Sequence, residues 1–149
     1  MSTEALIASR GHRLLQLGIL LFLLGLLGGF AVPSLAIPRM GLSSHLEGVM
    51  NGLFLVVLGL VWPRLTLAAT AATTLFWLAV YGTFANWAAT LLAAFWGAGA
   101  SMPLAGGAHR GSAAQELIIE ALLISLALAM VAVCLLTLWG LRVVAQKSA

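Results

Sequence analysis

Apolar residues along this chain gather into four long runs separated by short polar or proline-containing stretches. A helix that is hydrophobic on every side belongs in a core or a lipid interior, and one bilayer crossing takes about 20 mainly apolar residues. On that measure the runs predict helical spans over about 14–32, 46–62, 65–96 and 116–144. The third is longer than a bilayer is thick, so it must tilt, kink or protrude. Connections fall at 33–44, 63–64 and 97–112, with Pro33 and Pro63 closing the first two spans. Met1 to Arg13 forms a mostly polar lead. The run behind it has the look of a signal peptide, but no small-residue cleavage site closes it and three more runs follow, so a retained span is expected. No internal repeat is evident. The expected fold class is all-α: a polytopic membrane protein, a four-transmembrane-helix bundle, in one domain over 1–149.

Composition agrees and narrows the options. Of 149 residues, 62% are hydrophobic and 7% charged, with a mean hydropathy of +1.12. A soluble domain carries roughly a quarter charged residues, so lipid must cover most of this exterior. The formal charge of +3 is spread thinly. Nucleic-acid binding needs a basic patch or stripe, and the chain has none. Four crossings put both termini on one side, with Arg10, Arg13, Arg64, Arg142 and Lys147 there and Arg39 and Arg110 opposite. Excess positive charge marks the cytoplasmic side, so cytoplasmic termini are expected. Trp62, Trp96 and Trp139 fall near span ends, where tryptophan anchors helices at the interface. Cys134 is the single cysteine and reads as a small apolar helix residue; there is no C-x-x-C pair for metal or redox work. Gly18, Gly25, Gly28 and Gly29 suit close helix packing in lipid.

The chemistry concentrates in Ser44-His45-Leu46-Glu47-Gly48-Val49-Met50-Asn51-Gly52. Polar groups at membrane depth are costly and usually face protein or a cavity. At roughly 100° per residue, His45, Gly48, Gly52 and Gly59 form one stripe, with Asn51 to its side. An imidazole beside a side-chain-free strip can ligate and bed a planar macrocycle. A lone histidine near a span end is more often an interfacial hydrogen-bonding residue, and a glycine strip more often a helix contact. Glu47 and Asn51, four apart, can bond along the helix. Glu47 also reads as a helix-start carboxylate favoured by the dipole, and Asn51 as a bridge to a neighbouring helix or a substrate contact.

In the third span Thr83, Asn86 and Thr90 share a face. The threonines are expected to bond their own backbone, leaving Asn86 as the functional candidate. Tyr81 lies on another side and divides between belt and site. Trp77, Trp87, Phe76 and Phe84 can wall an aromatic pocket or simply pack. Glu116 and Glu120, one turn apart, suit acid–base work or helix-start electrostatics. His109 and His12 read as solvent- or headgroup-level residues.

Pro38-Arg39-Met40-Gly41, His45-x5-Asn51-Gly52, Trp62-Pro63-Arg64 and Gly11-His12-Arg13-Leu14-Leu15 together resemble the hydroxylaminobenzene mutases, small membrane enzymes that convert hydroxylaminobenzene to 2-aminophenol. The resemblance runs from about residue 10 to 145. More distantly the chain is similar to the styrene oxide isomerases, four-span trimers with haem b between subunits. Their axial histidine is followed six residues later by asparagine and then glycine, the pattern of His45, Asn51 and Gly52. Asn86 matches a second asparagine in their third helix.

The resemblance therefore implies haem b with His45 as the iron ligand, bedded on Gly48 and Gly52. It also implies substrate contacts from Asn51 and Asn86, and a homotrimer with haem at subunit interfaces in a bacterial inner membrane. The isomerases carry a tyrosine where this chain has Thr90, which favours the mutase chemistry; Tyr81 can replace it only from another angle. The expected activity is intramolecular hydroxyl transfer on an apolar arylhydroxylamine, with the iron as Lewis acid. The alternatives are a styrene-oxide-type epoxide isomerase and a non-enzymatic haem-carrying membrane subunit.

Overall fold

The computed structural model describes the backbone from Thr3 to Lys147 and the side chains from Ser9 to Arg142. Four long helices, α1 (Thr3–Ala31), α2 (Pro38–Val61), α3 (Ala69–Trp96) and α5 (Ala113–Lys147), and a short α4 (Pro103–Gly106) make up the fold. All four long helices are long and apolar enough to cross a membrane. The chain is a polytopic α-helical membrane protein, and its exterior is studded with exposed leucine, isoleucine, valine and phenylalanine.

Helix boundaries follow local chemistry. α2 begins at Pro38, about two turns before the apolar run does. Proline is pre-set for the first helical position, where its missing N–H costs nothing, and Ile37 N–H bonds Ala94 O of α3 at 3.1 Å. The polar residues Arg39, Ser43 and Ser44 hid this turn from hydropathy because depth in lipid and helicity are different properties. α3 begins at Ala69, after an extended link whose Thr66 N–H bonds Gly140 O of α5 at 3.2 Å. It ends at Gly97, whose φ of 72° supplies the left-handed cap. α5 starts with a capping box: Gln115 Oε1 accepts from Ser112 N–H at 2.8 Å and Ser112 Oγ accepts from Gln115 N–H at 3.4 Å.

The helices form an open row. α2 packs between α1 and α3, and α5 packs on α3. The α1–α2 contact is a ladder of glycines at heptad spacing on α1. A Cβ on Gly11 would lie 3.2 Å from Gly59 O, one on Gly18 2.7 Å from Gly52 O, and one on Gly25 2.8 Å from Gly48 C. Only bare backbones can approach this closely, which is how helices associate in lipid without a hydrophobic drive. Gly28 meets nothing within 4 Å, so it takes no part in the ladder.

Two buried apolar clusters bracket the polar stretch of α2. One joins Ile37 and Met40 to Ala93, Ala94, Ala98 and Ile119; the other joins Leu55, Leu58 and Trp62 to Leu14, Leu21, Leu75, Phe76 and Val133. Trp62 corrects an expectation. It is a core residue, 2% exposed and edge-on to Phe76 at 6.3 Å, not an interfacial anchor. Trp139 remains exposed.

Candidate functional site

Between those clusters α2 carries two distinct polar features on opposite flanks. On the α1 flank, His45 Nδ1 bonds Gly25 O at 2.8 Å. A carbonyl only accepts, so Nδ1 carries the proton in this bond, and the Nε2 lone pair is free. Among the described residues no hydrogen bond reaches Nε2. A Cβ on Gly29 would sit 2.8 Å from Nδ1, so the imidazole fits only because Gly29 is bare. The half-buried ring lines an apolar groove of about 650 Å³, walled by Leu23, Leu26, Leu27, Phe30, Val32 and Leu42.

On the α3 flank a carboxylate is held by two amides. Glu47 Oε2 accepts from Asn51 Nδ2 at 3.0 Å and from Asn86 Nδ2 at 2.6 Å. Asn51 is 9% exposed, and a buried amide without partners would be costly, so the clasp satisfies donors on both helices. Above it Ser44 Oγ donates to Trp87 O at 3.3 Å. Thr90 Oγ1 donates to Asn86 O and Trp87 O, 3.0 Å each, bonding its own helix as the sequence suggested. Glu47, Asn86 and Thr90 line a cavity of about 480 Å³ with Met40, Met102 and Leu123 among its apolar walls.

The expected site residues therefore separate. Asn51 and Asn86 come together, on Glu47. His45 faces the other way, about 120° round α2 from Asn51. Gly48 and Gly52 do not present a bare bed for a macrocycle: a Cβ on Gly48 would lie 2.5 Å from Gly25 Cα, and one on Gly52 2.6 Å from Phe22 N. Helix α1 fills that strip, because glycine faces in lipid are worth most as contacts. Tyr81 does not join the amide pair. It is exposed, and its hydroxyl pairs with Ser125 Oγ at 2.6 Å across α3 and α5.

Other candidates have structural work. Glu116 Oε1 accepts from Gly111 N–H at 2.8 Å and Oε2 from Ala100 N–H at 3.1 Å, clasping the loop. Glu120 and His12 are exposed, and His109, also exposed, bonds Gly106 O. Sequence reading missed two things: Glu47 as the hub of the amide pair, and Gly25 with Gly29 as the cradle of His45. The four-residue step from Glu47 to Asn51 was the visible signal for the first.

Among the described residues no group of three or more metal-binding side chains converges. A haem needs only one axial ligand, and His45 fits that part. Its outer nitrogen is free, its inner nitrogen is fixed by a backbone carbonyl as metal-bound imidazoles usually are, and the groove beside it is apolar. The glycines of α2 do not fit the bedding role.

Four apolar helices, with a carboxylate clasped by two amides beside a cavity, make this an integral membrane protein with a polar site on its second and third helices. The family model for styrene oxide isomerase matches residues 10–142, and the chain belongs to that family. It is similar to hydroxylaminobenzene mutase HabB of Ectopseudomonas oleovorans, 63% identical over 95% of this chain and 85% of the relative. It is also similar to hydroxylaminobenzene mutase HabA of the same organism, 46% identical over 83% of this chain and 93% of the relative. No solved structure matches it significantly.

Proposed function

We propose that this protein is a hydroxylaminobenzene mutase, an isomerase that moves the hydroxyl of an arylhydroxylamine from nitrogen to the ortho ring carbon. The observation that carries this is 63% identity to a mutase across 95% of the chain, a stretch that includes the whole polar segment of α2. The reaction is an internal rearrangement: an N–O bond breaks, an ortho C–O bond forms, and one proton passes from that carbon to nitrogen. It needs no external oxidant or reductant.

In this reading His45 would hold haem b, with Gly25 O and Gly29 setting its ring, and the group would supply Lewis acidity toward the N–O unit. Asn51 and Asn86 each spend one amide hydrogen on Glu47, and Asn86, which lines the cavity, keeps a second for the migrating oxygen in a setting of low dielectric where such bonds count most. Apolar walls at Met40, Met102 and Leu123 suit the aromatic ring of the substrate. A flat aromatic substrate reaches the cavity by partitioning from lipid.

His45 and the amide pair lie on opposite flanks of α2, and His45 opens onto a groove at the molecular surface. That supports an assembly in which the α1–α2 groove of one copy meets the α3 flank of the next, bringing the two half-sites together; three copies is the number that the resemblance to the styrene oxide isomerases implies. The arginine distribution, Arg10, Arg13, Arg64 and Arg142 at one end against Arg39 and Arg110 at the other, supports cytoplasmic termini in an inner membrane.

Detergent-purified protein should convert hydroxylaminobenzene to 2-aminophenol and carry a haem absorption band that disappears in His45→Ala. Full turnover by a haem-free preparation would overturn the haem assignment, and no turnover by haem-loaded protein would overturn the mutase assignment. The family match favours one second reading, an epoxide isomerase. Turnover of styrene oxide without turnover of hydroxylaminobenzene would establish it instead.

A further inference from the structure

The clasp leaves one question of chemistry open on the α3 flank. Both amides donate to the same oxygen, Glu47 Oε2, at 3.0 and 2.6 Å. Among the described residues no hydrogen bond reaches Oε1, while Glu47 lines the cavity with Ser43, Asn86 and Thr90. The carboxyl group is thus pinned by one oxygen and offers the other to whatever enters. A carboxylate oxygen is an acceptor and asks for a donor. Thr90 does not supply one, because its hydroxyl hydrogen goes to backbone carbonyls of its own helix.

We infer that Glu47 is the residue that selects the substrate class: Oε1 accepts the N–H or O–H hydrogen of a hydroxylamine and rejects isosteres that have no hydrogen to give, such as aryl epoxides and ethers. This rests on the mutase reading for the identity of the substrate, but not for the selection itself. An arylhydroxylamine carries two donors at its reacting end. An aryl epoxide of similar size carries none: its oxygen can take the spare N–H of Asn86, but it leaves Glu47 Oε1 unanswered. Sites built around a buried polar partner discriminate by far more than apolar fit does, about 10⁴–10⁵-fold in favourable cases. Here the cavity is partly open, and a preference of at least ~10-fold for a donor is expected.

The arrangement makes an unusual demand on the glutamine substitution. In Glu47→Gln the amide oxygen is the only atom that can receive the two asparagine N–H groups, so the new NH2 must take the place of Oε1. At the Oε1 position the cavity then changes from accepting to donating, with its shape unchanged. A purely structural role for Glu47 predicts no such reversal.

The probes are benzyl alcohol and benzyl methyl ether, read by the rise in unfolding temperature of the full chain in detergent, with hydroxylaminobenzene turnover measured alongside. Wild type should bind the alcohol at least ~10-fold more tightly than the ether. Glu47→Gln should bind the ether as well as or better than the alcohol, and its kcat/KM for hydroxylaminobenzene should fall ~100-fold or more. A wild-type protein that does not distinguish the two probes overturns the inference even if the variant fails to fold. So does a Glu47→Gln protein that keeps the wild-type preference. Wild type that prefers the alcohol yet does not turn over hydroxylaminobenzene leaves the selection standing and removes the mutase reading.

Discussion

Gly28 and Gly29 are neighbours on α1 with opposite surroundings, and replacing each by alanine separates helix propensity from the geometry of His45. A Cβ at 28 meets nothing within 4 Å. Gly28→Ala should therefore stabilise the helix by up to ~1 kcal/mol, the usual difference between the two residues, and leave His45 alone. A Cβ at 29 lies 2.8 Å from His45 Nδ1 and 3.2 Å from Cε1. To reach the 3.4 Å of ordinary contact the ring must give by about 0.6 Å, a large step for a packed side chain. That motion pulls Nδ1 off Gly25 O, now 2.8 Å away, losing about 1 kcal/mol for the bond and about 1 kcal/mol for an off-rotamer ring. The alanine gain offsets half of this, so Gly29→Ala should be destabilised by only ~1 kcal/mol. On the proposed ligation of haem by His45, haem affinity should suffer far more, by about 10–100-fold, as when the support of a metal-bound histidine is removed. Haem titration followed at the main absorption band, with thermal unfolding in the same detergent, reads both quantities. Equal haem affinity in the two variants would refute the account of how His45 is set.

Two further outcomes follow from side chains outside the site. Glu116→Ala strands the Gly111 and Ala100 N–H groups that its oxygens now satisfy. Stability should fall by about 1–3 kcal/mol, with hydrogen exchange rising at those amides; unchanged protection there would contradict the clasp. Tyr81→Phe removes the bond to Ser125 at a distance from the cavity, so turnover should stay within about twofold of wild type, and a loss of tenfold or more would return Tyr81 to the site.

The four crossings were readable because lipid leaves a strong signature: a run of apolar residues long enough to span the bilayer. The start of α2 was not, since Arg39, Ser43 and Ser44 look like loop residues until Pro38 is seen opening a helix. The stripe of Gly48, Gly52 and Gly59 was plain in the sequence, yet its occupant was not. The complementary spacing of Gly11, Gly18 and Gly25 held that information, because two bare faces in lipid find each other. The Asn51–Glu47 step was visible as local geometry. That Asn86, 39 residues from Glu47, completes the clasp is a tertiary fact that no local pattern carries. Tyr81 divided between belt and site in the sequence, and sitting on another face from Asn86 left it with Ser125.

The row of helices also bears on how the chain is made. Each long helix lies chiefly against the one translated just before it: α2 on α1, α3 on α2, α5 on α3. No principal contact waits for the C-terminal end to return and close a ring. Helices can dock singly as they leave the insertion machinery, with only short connections to order at each step. The Glu47 clasp, built from α2 and α3 alone, can be complete while the ribosome is still adding α5.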